Sequence, residues 1–284
     1  NEARNWWDVQ HYAVYVEPDY DNKTIRGKVD IRFKVLAPGK TMQIDLQEPM
    51  QLGKAYIGDK PMTFKREGNV FFINVSVPLP KDSIVTLALQ FQGNVTVAKR
   101  PPWDGGWIFS KDKLGRPWMS VACQGLGASV WFPCKDHQSD EPDQGSTLKI
   151  NVPDSLMAIG NGRLIGKEKY KQGWTAYQWE VKNPINNYGV NLNVGDYAKF
   201  SDNYKGLKFA LKPGSLYTND IKILRKGKPY GLEEDPQTLS HGFNSGYAAI
   251  NLAYHLGAKR IVLLGFDMTN DGNQTHFHDG YPTR

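Results

Sequence analysis

Cysteine is nearly missing from this sequence: its 284 residues hold two, Cys123 and Cys134. Two thiols cannot build a four-cysteine zinc site, and neither a C-x-x-C pair nor a Cys/His cluster is present. Both are expected as buried thiols, since a disulfide requires a geometry that sequence does not fix. Long apolar runs are also absent, so no stretch reaches the length of a bilayer-spanning helix and no membrane partner is expected. Dense Lys/Arg blocks are equally lacking. The net charge is +6 and the pI near 9.1, but basic and acidic residues are mixed almost throughout. That mixture reads as solvated surface and argues against nucleic acid as a partner. The chain opens Asn-Glu-Ala-Arg, without methionine or a signal-like segment. A removed leader would make it periplasmic or secreted, and the sequence fixes no location.

What is present is alternation. His11 to Glu17 alternates apolar and polar residues, and after a turn at Pro18 to Lys23 the stretch Thr24 to Val35 repeats the habit with Ile25, Val29, Ile31, Phe33 and Val35. Thr41 to Leu46, Lys54 to Ile57, Val70 to Val77 and Ile84 to Gln92 come next. Leu148 to Val152, Met157 to Asn161, Thr175 to Val181 and Tyr188 to Tyr197 continue the series. Period-two segments divided by turn residues at short intervals predict an antiparallel β domain.

The most informative stretch is Val121 to Asp143, V-A-C-Q-G-L-G-A-S-V-W-F-P-C-K-D-H-Q-S-D-E-P-D. It reads as a buried strand, a small-residue turn and a second apolar strand over Ala128 to Phe132. A polar loop carrying Lys135, Asp136, His137, Asp140, Glu141 and Asp143 comes after it, bracketed by Pro133 and Pro142. Gln124 stands out. It is either a structural amide satisfied by backbone or a residue placed to meet a ligand, and a buried amide would need partners. The loop P-P-W-D-G-G-W over residues 101–107 is either an aromatic cap on the sheet or part of the substrate side.

C-Q followed nine residues later by P-C-x-D resembles the end of the N-terminal β domain in the aminopeptidase N family of zinc metallopeptidases, in its bacterial form. W-D-V-Q-H-Y, T-I-R-G-K-V-D-I-R-F and M-Q-I-D-L-Q resemble that family's opening strands, and the likeness runs over about residues 4 to 204. It implies a saddle-shaped domain in which Gln124 reaches a substrate site and helps hold the free amino terminus of a peptide. In the family a G-x-M-E-N segment and an H-E-x-x-H helix with a downstream glutamate then succeed the β domain, the helix holding zinc. Neither occurs here, and no two of the six histidines have that spacing around a glutamate. No catalytic residue and no cofactor is therefore expected in this chain, and it should not hydrolyse peptides.

After Tyr204 the pattern changes. Ser240 to Gly246 leads into Tyr247 to Leu256, apolar at helical spacing and stopped by Gly257. Ile261 to Leu264 is a continuous apolar run of the kind found in strands covered on both faces. Ser245-Gly246 and Gly265-Phe266-Asp267 resemble short segments of a nucleotide-utilising α/β group, the MptE-like proteins and more distantly sialyltransferases. That resemblance implies Ser245, Gly246 and Asp267 as nucleotide contacts, the alternative being an ordinary capped helix. His276 and His278 with Asp271 and Asp279 are metal ligands or a solvated loop, and the loop composition favours the second.

The expected fold class is therefore mainly β: a saddle-like antiparallel β domain over residues 1–204 followed by a short α/β segment over 205–284, joined near Tyr204. The leading reading is a non-catalytic N-terminal domain of an aminopeptidase-like protein. A β scaffold or protein-interaction module, and a nucleotide-dependent transferase in the C-terminal part, are the alternatives.

Overall fold

The computed structural model describes residues 1–101 and 103–197, together with the backbone of 225–226 and 238–239. The chain divides into two compact units, Asn1–Ser201 and Asp202–Arg284. Among the described residues, fifteen strands organise the first. They are β1 (Trp7–Asp19), β2 (Thr24–Val35), β3 (Thr41–Asp45), β4 (Gln51–Ile57), β5 (Lys60–Pro61), β6 (Thr63–Glu67), β7 (Val70–Asn74) and β8 (Ile84–Asn94). Then come β9 (Gly106–Lys111), β10 (Pro117–Ala122), β11 (Ser146–Pro153), β12 (Met157–Gly160), β13 (Arg163–Lys171), β14 (Trp174–Val181) and β15 (Leu192–Gly195).

An eight-stranded sheet runs in the order β13-β14-β11-β1-β2-β8-β4-β5. Its pairings are antiparallel except at the centre, where β1 lies parallel to β11 with Tyr12 opposite Ser146 and Val16 opposite Ile150. A four-stranded sheet, β12-β15-β10-β9, and a three-stranded one, β3-β7-β6, complete the unit. The fold is mainly β, as alternation predicts. In the second unit, 225–226 pairs in parallel with 238–239; the helix and strand read over Tyr247 to Leu264 lie outside the described residues.

Period-two patterning sets which faces close on one another. β1 buries Tyr12, Val14 and Val16 and turns Tyr15 outward, while β2 buries Ile25, Val29, Ile31, Phe33 and Val35 and exposes Arg26 and Arg32 between them. These inner faces join Met42, Ile44, Leu87, Leu89, Trp107, Trp131 and Phe132 in one continuous core. Trp7 meets Phe33 edge to face at 5.7 Å, and Tyr12 meets Phe132 in the same way at the same distance. At the N-terminus, Trp6 also packs on Phe33 while its indole N–H donates to the Thr41 carbonyl at 2.8 Å.

Two expectations change. Ala128 to Phe132 is no strand: Ala128–Val130 forms one 3₁₀ turn, and the run from Ala128 to Cys134 is buried throughout. An apolar run enclosed on all sides carries no periodicity by which strand and turn could be told apart. Tyr188 likewise opens no strand. Asn187–Gly189 is a 3₁₀ turn capped by the Asn186 side chain, and extended structure resumes only at Leu192.

A core closed within residues 1–197 predicts that this unit folds without the C-terminal segment. A chain ending at Tyr204 is expected to unfold in a single cooperative transition, with coincident near- and far-ultraviolet circular dichroism curves. A dye-binding product without near-ultraviolet signal would show that later residues complete the core.

Candidate functional site

Gln124 sits just past the end of β10, and its side chain is exposed. The turn that carries it is closed by Cys123, whose carbonyl accepts from the Leu126 N–H at 3.0 Å and the Gly127 N–H at 2.8 Å. Gly127 needs to be glycine twice over: its φ is 84°, and a Cβ there would collide with the Asp136 carboxylate. Asp136 in turn accepts from the Ser129 N–H at 3.0 Å, so the polar loop after Pro133 reaches back and caps the 3₁₀ turn. Its own N–H donates to Asp45 at 2.9 Å, and Asp45 is ion-paired with Arg4.

The 101–107 loop backs this turn. A Cβ on Gly105 would lie 2.6 Å from the Gln124 carbonyl oxygen, so only glycine allows that approach. Its two tryptophans divide between the two readings of the loop. Trp107 is fully buried in the core, whereas Trp103 is half exposed and lines the pocket into which Gln124 projects.

That pocket has a volume of about 390 Å³ and is bounded further by Val121, Cys123, Tyr188 and Asn191. The Tyr188 hydroxyl donates to Gln124 Oε1 at 2.7 Å. Tyr188 is held by its own turn: its N–H donates to Asn186 Oδ1 at 2.9 Å, the Asn186 amide donates to the Gln138 carbonyl at 2.6 Å, and the buried Asn187 amide donates to the Lys135 carbonyl at 2.9 Å. Gln124 is thus oriented by a tyrosine anchored to the same polar loop that caps its turn. The N-N-x-G pattern at Asn186–Gly189 is the turn signal that marks Tyr188 in the sequence.

A carbonyl oxygen has two acceptor positions, and Tyr188 occupies one. The second can accept from a ligand ammonium or amide, the chemistry that the family resemblance implies for Gln124. The thiol beside it is buried. Burial, and after it the charge of Asp136, pushes the Cys123 thiol up to about 12, and burial drives Cys134 well above its ordinary value. Both are free and buried, as expected. Zinc does not fit: among the described residues no group of three or more His, Cys, Asp or Glu side chains could hold a metal ion. Ser245, Gly246 and Asp267, and the histidines and aspartates of 271–279, lie outside the described residues.

Lys135 serves structure. It forms an ion pair with Asp140, donates to the Trp7 carbonyl at 2.7 Å and stands 4.4 Å from the Trp7 ring, all of this buried. Lys135, Asp136, Asp140 and Asp143 bond within and around the loop, and no residue of 135–143 lines the Gln124 pocket.

The peptidase M1 N-terminal domain matches residues 8–188. Leucine aminopeptidase 2 of Pyricularia oryzae is 23% identical over 269 residues, covering 81% of this chain and 42% of the relative. The crystal structure of an M1 zinc metallopeptidase from Deinococcus radiodurans superposes with a TM-score of 0.57 at 20% identity, over 69% of this chain and 43% of that one. A mutant of the same enzyme bound to Tyr-Ser-Ala gives the same score at 21% identity, over 69% and 44%. The chain spans less than half the length of these relatives.

Proposed function

The chain belongs to the peptidase M1 family through its N-terminal domain, and from that membership we propose that residues 1–204 are the substrate-side β domain of a zinc aminopeptidase-like protein. Gln124 then offers its free carbonyl acceptor to the amino terminus of a peptide. One observation carries this reading: an exposed glutamine, fixed by Tyr188, points into a pocket walled by Trp103. The peptide bound by the Deinococcus enzyme supports the same class of ligand. Zinc and the general base are not supplied by this chain, whose sequence contains no H-E-x-x-H.

Titrating the chain with L-leucinamide, followed by NMR, tests the proposal. The Gln124 side-chain amide and Tyr188 ring signals are expected to shift at millimolar ligand, and N-acetyl-leucinamide, which lacks the amine, should leave them in place. Equal shifts from both compounds, or none from either, would reject Gln124 as an amine acceptor. Gln124→Ala should abolish the response and cost less than about 1 kcal/mol, as for an exposed hydrogen bond. A loss of roughly 2–3 kcal/mol would instead mark a structural amide whose partners were left unpaired. No aminoacyl p-nitroanilide turnover is expected with added zinc, and chelator-sensitive turnover would overturn the non-catalytic reading.

For residues 205–284 the sequence pattern supports an α/β segment of separate origin, in which Ser245, Gly246 and Asp267 meet a nucleotide. Calorimetric titration of CMP and GTP with and without magnesium tests it. Binding lost in Asp267→Asn supports the reading, and no binding to either nucleotide discards it.

A further inference from the structure

The outer face of the eight-stranded sheet carries a trough of roughly 490 Å³ that shares no residue with the Gln124 pocket. It runs from β11 across β1, β2 and β8 to β4, with Tyr170 of β13 on its wall. Four interstrand steps of about 4.8 Å make it roughly 19 Å long, the span of a short oligosaccharide.

At its floor lie Glu17 and Asn151, each only 9% exposed. Val16 pairs with Ile150 in the parallel ladder, which places the next residues, Glu17 and Asn151, side by side. Glu17 Oε1 is taken by Arg26 and by Lys171, the latter at 2.8 Å. Glu17 Oε2 and Asn151 Oδ1 have no donor among the described residues. Buried acceptors left unpaired are costly, so a hydrogen-bond donor suits this floor.

The surrounding charges select the donor. Arg26, Lys28 and Lys54 line the trough and Lys171 reaches its carboxylate; Glu17 pairs with Arg26 and Lys171, and Asp30 pairs with Lys28 at 2.9 Å, so most of this charge is already compensated. Another cation would face like charge at close range. An anion would meet two acceptor oxygens at the floor. A neutral polyhydroxyl ligand meets neither conflict: its hydroxyls donate to Glu17 Oε2 and Asn151 Oδ1 and accept from Lys28, Lys54 and the amides of Gln90 and Gln92. Tyr15 and Tyr170 are 38% and 47% exposed on the trough walls and offer flat apolar surface to the C–H face of a pyranose. Lys28 Nζ lies over the Tyr15 ring at 5.8 Å from its centre and Lys171 Nζ over the Tyr170 ring at 5.4 Å, so a sugar stacked on either ring shares that face with an ammonium able to donate to its hydroxyls. We infer that the trough across the outer face of the large sheet binds a neutral oligosaccharide, with Glu17 and Asn151 as acceptors and Tyr15 and Tyr170 as stacking surfaces.

Calorimetric titration of the 284-residue chain with cellotetraose, maltotetraose and N-acetylchitotetraose tests this, with a heparin tetrasaccharide and spermidine as charged controls. At least one neutral tetrasaccharide is expected to bind, about tenfold more weakly to Tyr15→Ala and to Asn151→Leu, and unchanged to Gln124→Ala. Each variant's melting curve is measured first, and the comparison uses those that unfold cooperatively; Tyr15, on the surface, keeps the test open if Asn151→Leu does not fold. No heat with any neutral tetrasaccharide overturns the assignment, as does binding indifferent to both variants. Binding of the heparin fragment or spermidine alone overturns it too. If the Asn151 amide simply turns to donate to Glu17, no neutral sugar binds and Asn151→Leu is destabilising, which is also a refutation.

Discussion

Lys135→Ala is expected to destabilise the first unit by about 3–5 kcal/mol, the scale for removing one partner of a buried ion pair. The magnitude comes from the groups left behind. Asp140 is buried and its Oδ1 accepts from the Val9 N–H at 3.1 Å, next to the register shift between Val9 and His11 in β1. Without Lys135 that carboxylate loses its ion-pair partner in a site that also contains Asp8 and Asp143. Asp8 already feels the crowding: burial, then the charges of Asp140 and Asp143, hold its carboxyl above the usual range, and Lys135 opposes them. A carboxyl whose folded value is raised contributes stability only below its unfolded value, and that contribution is lost as pH rises through the folded value. Taking Lys135 away raises Asp8 further, so the deficit of the variant should be larger at pH 7 than near pH 4. Urea midpoints measured at both pH values check the magnitude and its direction. The double replacement Lys135→Met with Asp140→Leu, which removes both charges, should recover most of the loss; no recovery would mean that the hydrogen bonds to Trp7 and Val9 matter more than the charges.

Trp107→Ala should cost a similar amount, about 3–5 kcal/mol, through lost burial and the cavity left behind. The ring is fully buried, stacks on Phe109 at 5.9 Å between centroids and meets Trp131 edge to face at 6.5 Å. Its backbone is equally engaged, donating to the Thr96 carbonyl at 2.7 Å and accepting from the Ala98 N–H at 2.9 Å. Trp107→Phe should be much milder, below about 2 kcal/mol. It gives up part of the ring volume and also removes a buried indole N–H that has no acceptor among the described residues. Guanidinium midpoints with unchanged m-values would place both effects in the native core. A Phe variant as damaged as the Ala variant would show instead that the indole N–H is satisfied in solution. Since Trp107 closes the loop that backs the Gln124 turn, Trp107→Ala should also weaken the leucinamide response.

Much of the fold is legible because a half-buried sheet writes itself in alternate residues. β1 and β2 can be placed from Tyr12, Val14 and Val16 against Ile25, Val29 and Ile31, and Gln124 stands out as a polar residue in apolar text. The 3₁₀ turn at Ala128–Val130 is illegible for the opposite reason, since all of its neighbours to Cys134 are buried and no face is left to alternate. Tyr188 escapes sequence reasoning because its role depends on Gln124, 64 positions away. The Glu17–Lys171 pair spans 154 positions and exists only through sheet register. Local patterns carry no signal for such distant meetings, whereas the turn sequence Asn186–Gly189 does carry one, hidden inside a stretch that otherwise alternates like a strand.

The parallel pairing of β1 with β11 has a consequence for how the chain emerges from a ribosome. β2 comes directly after β1 across one short turn, so one edge of the first strand is covered almost at once. The other edge waits for residues 146–150. At roughly 5–20 residues per second that delay lasts on the order of ten seconds. During it, the N–H and C=O groups of Tyr12–Val16 that will face β11 present an open strand edge, the kind of edge on which nascent chains aggregate. Tyr15 and Glu17 share its outer face, and the Glu17 carboxylate makes that edge less adhesive while it waits. A holdase acting on this protein would find a client segment in Tyr12–Val16, and would release it once β11 had been made.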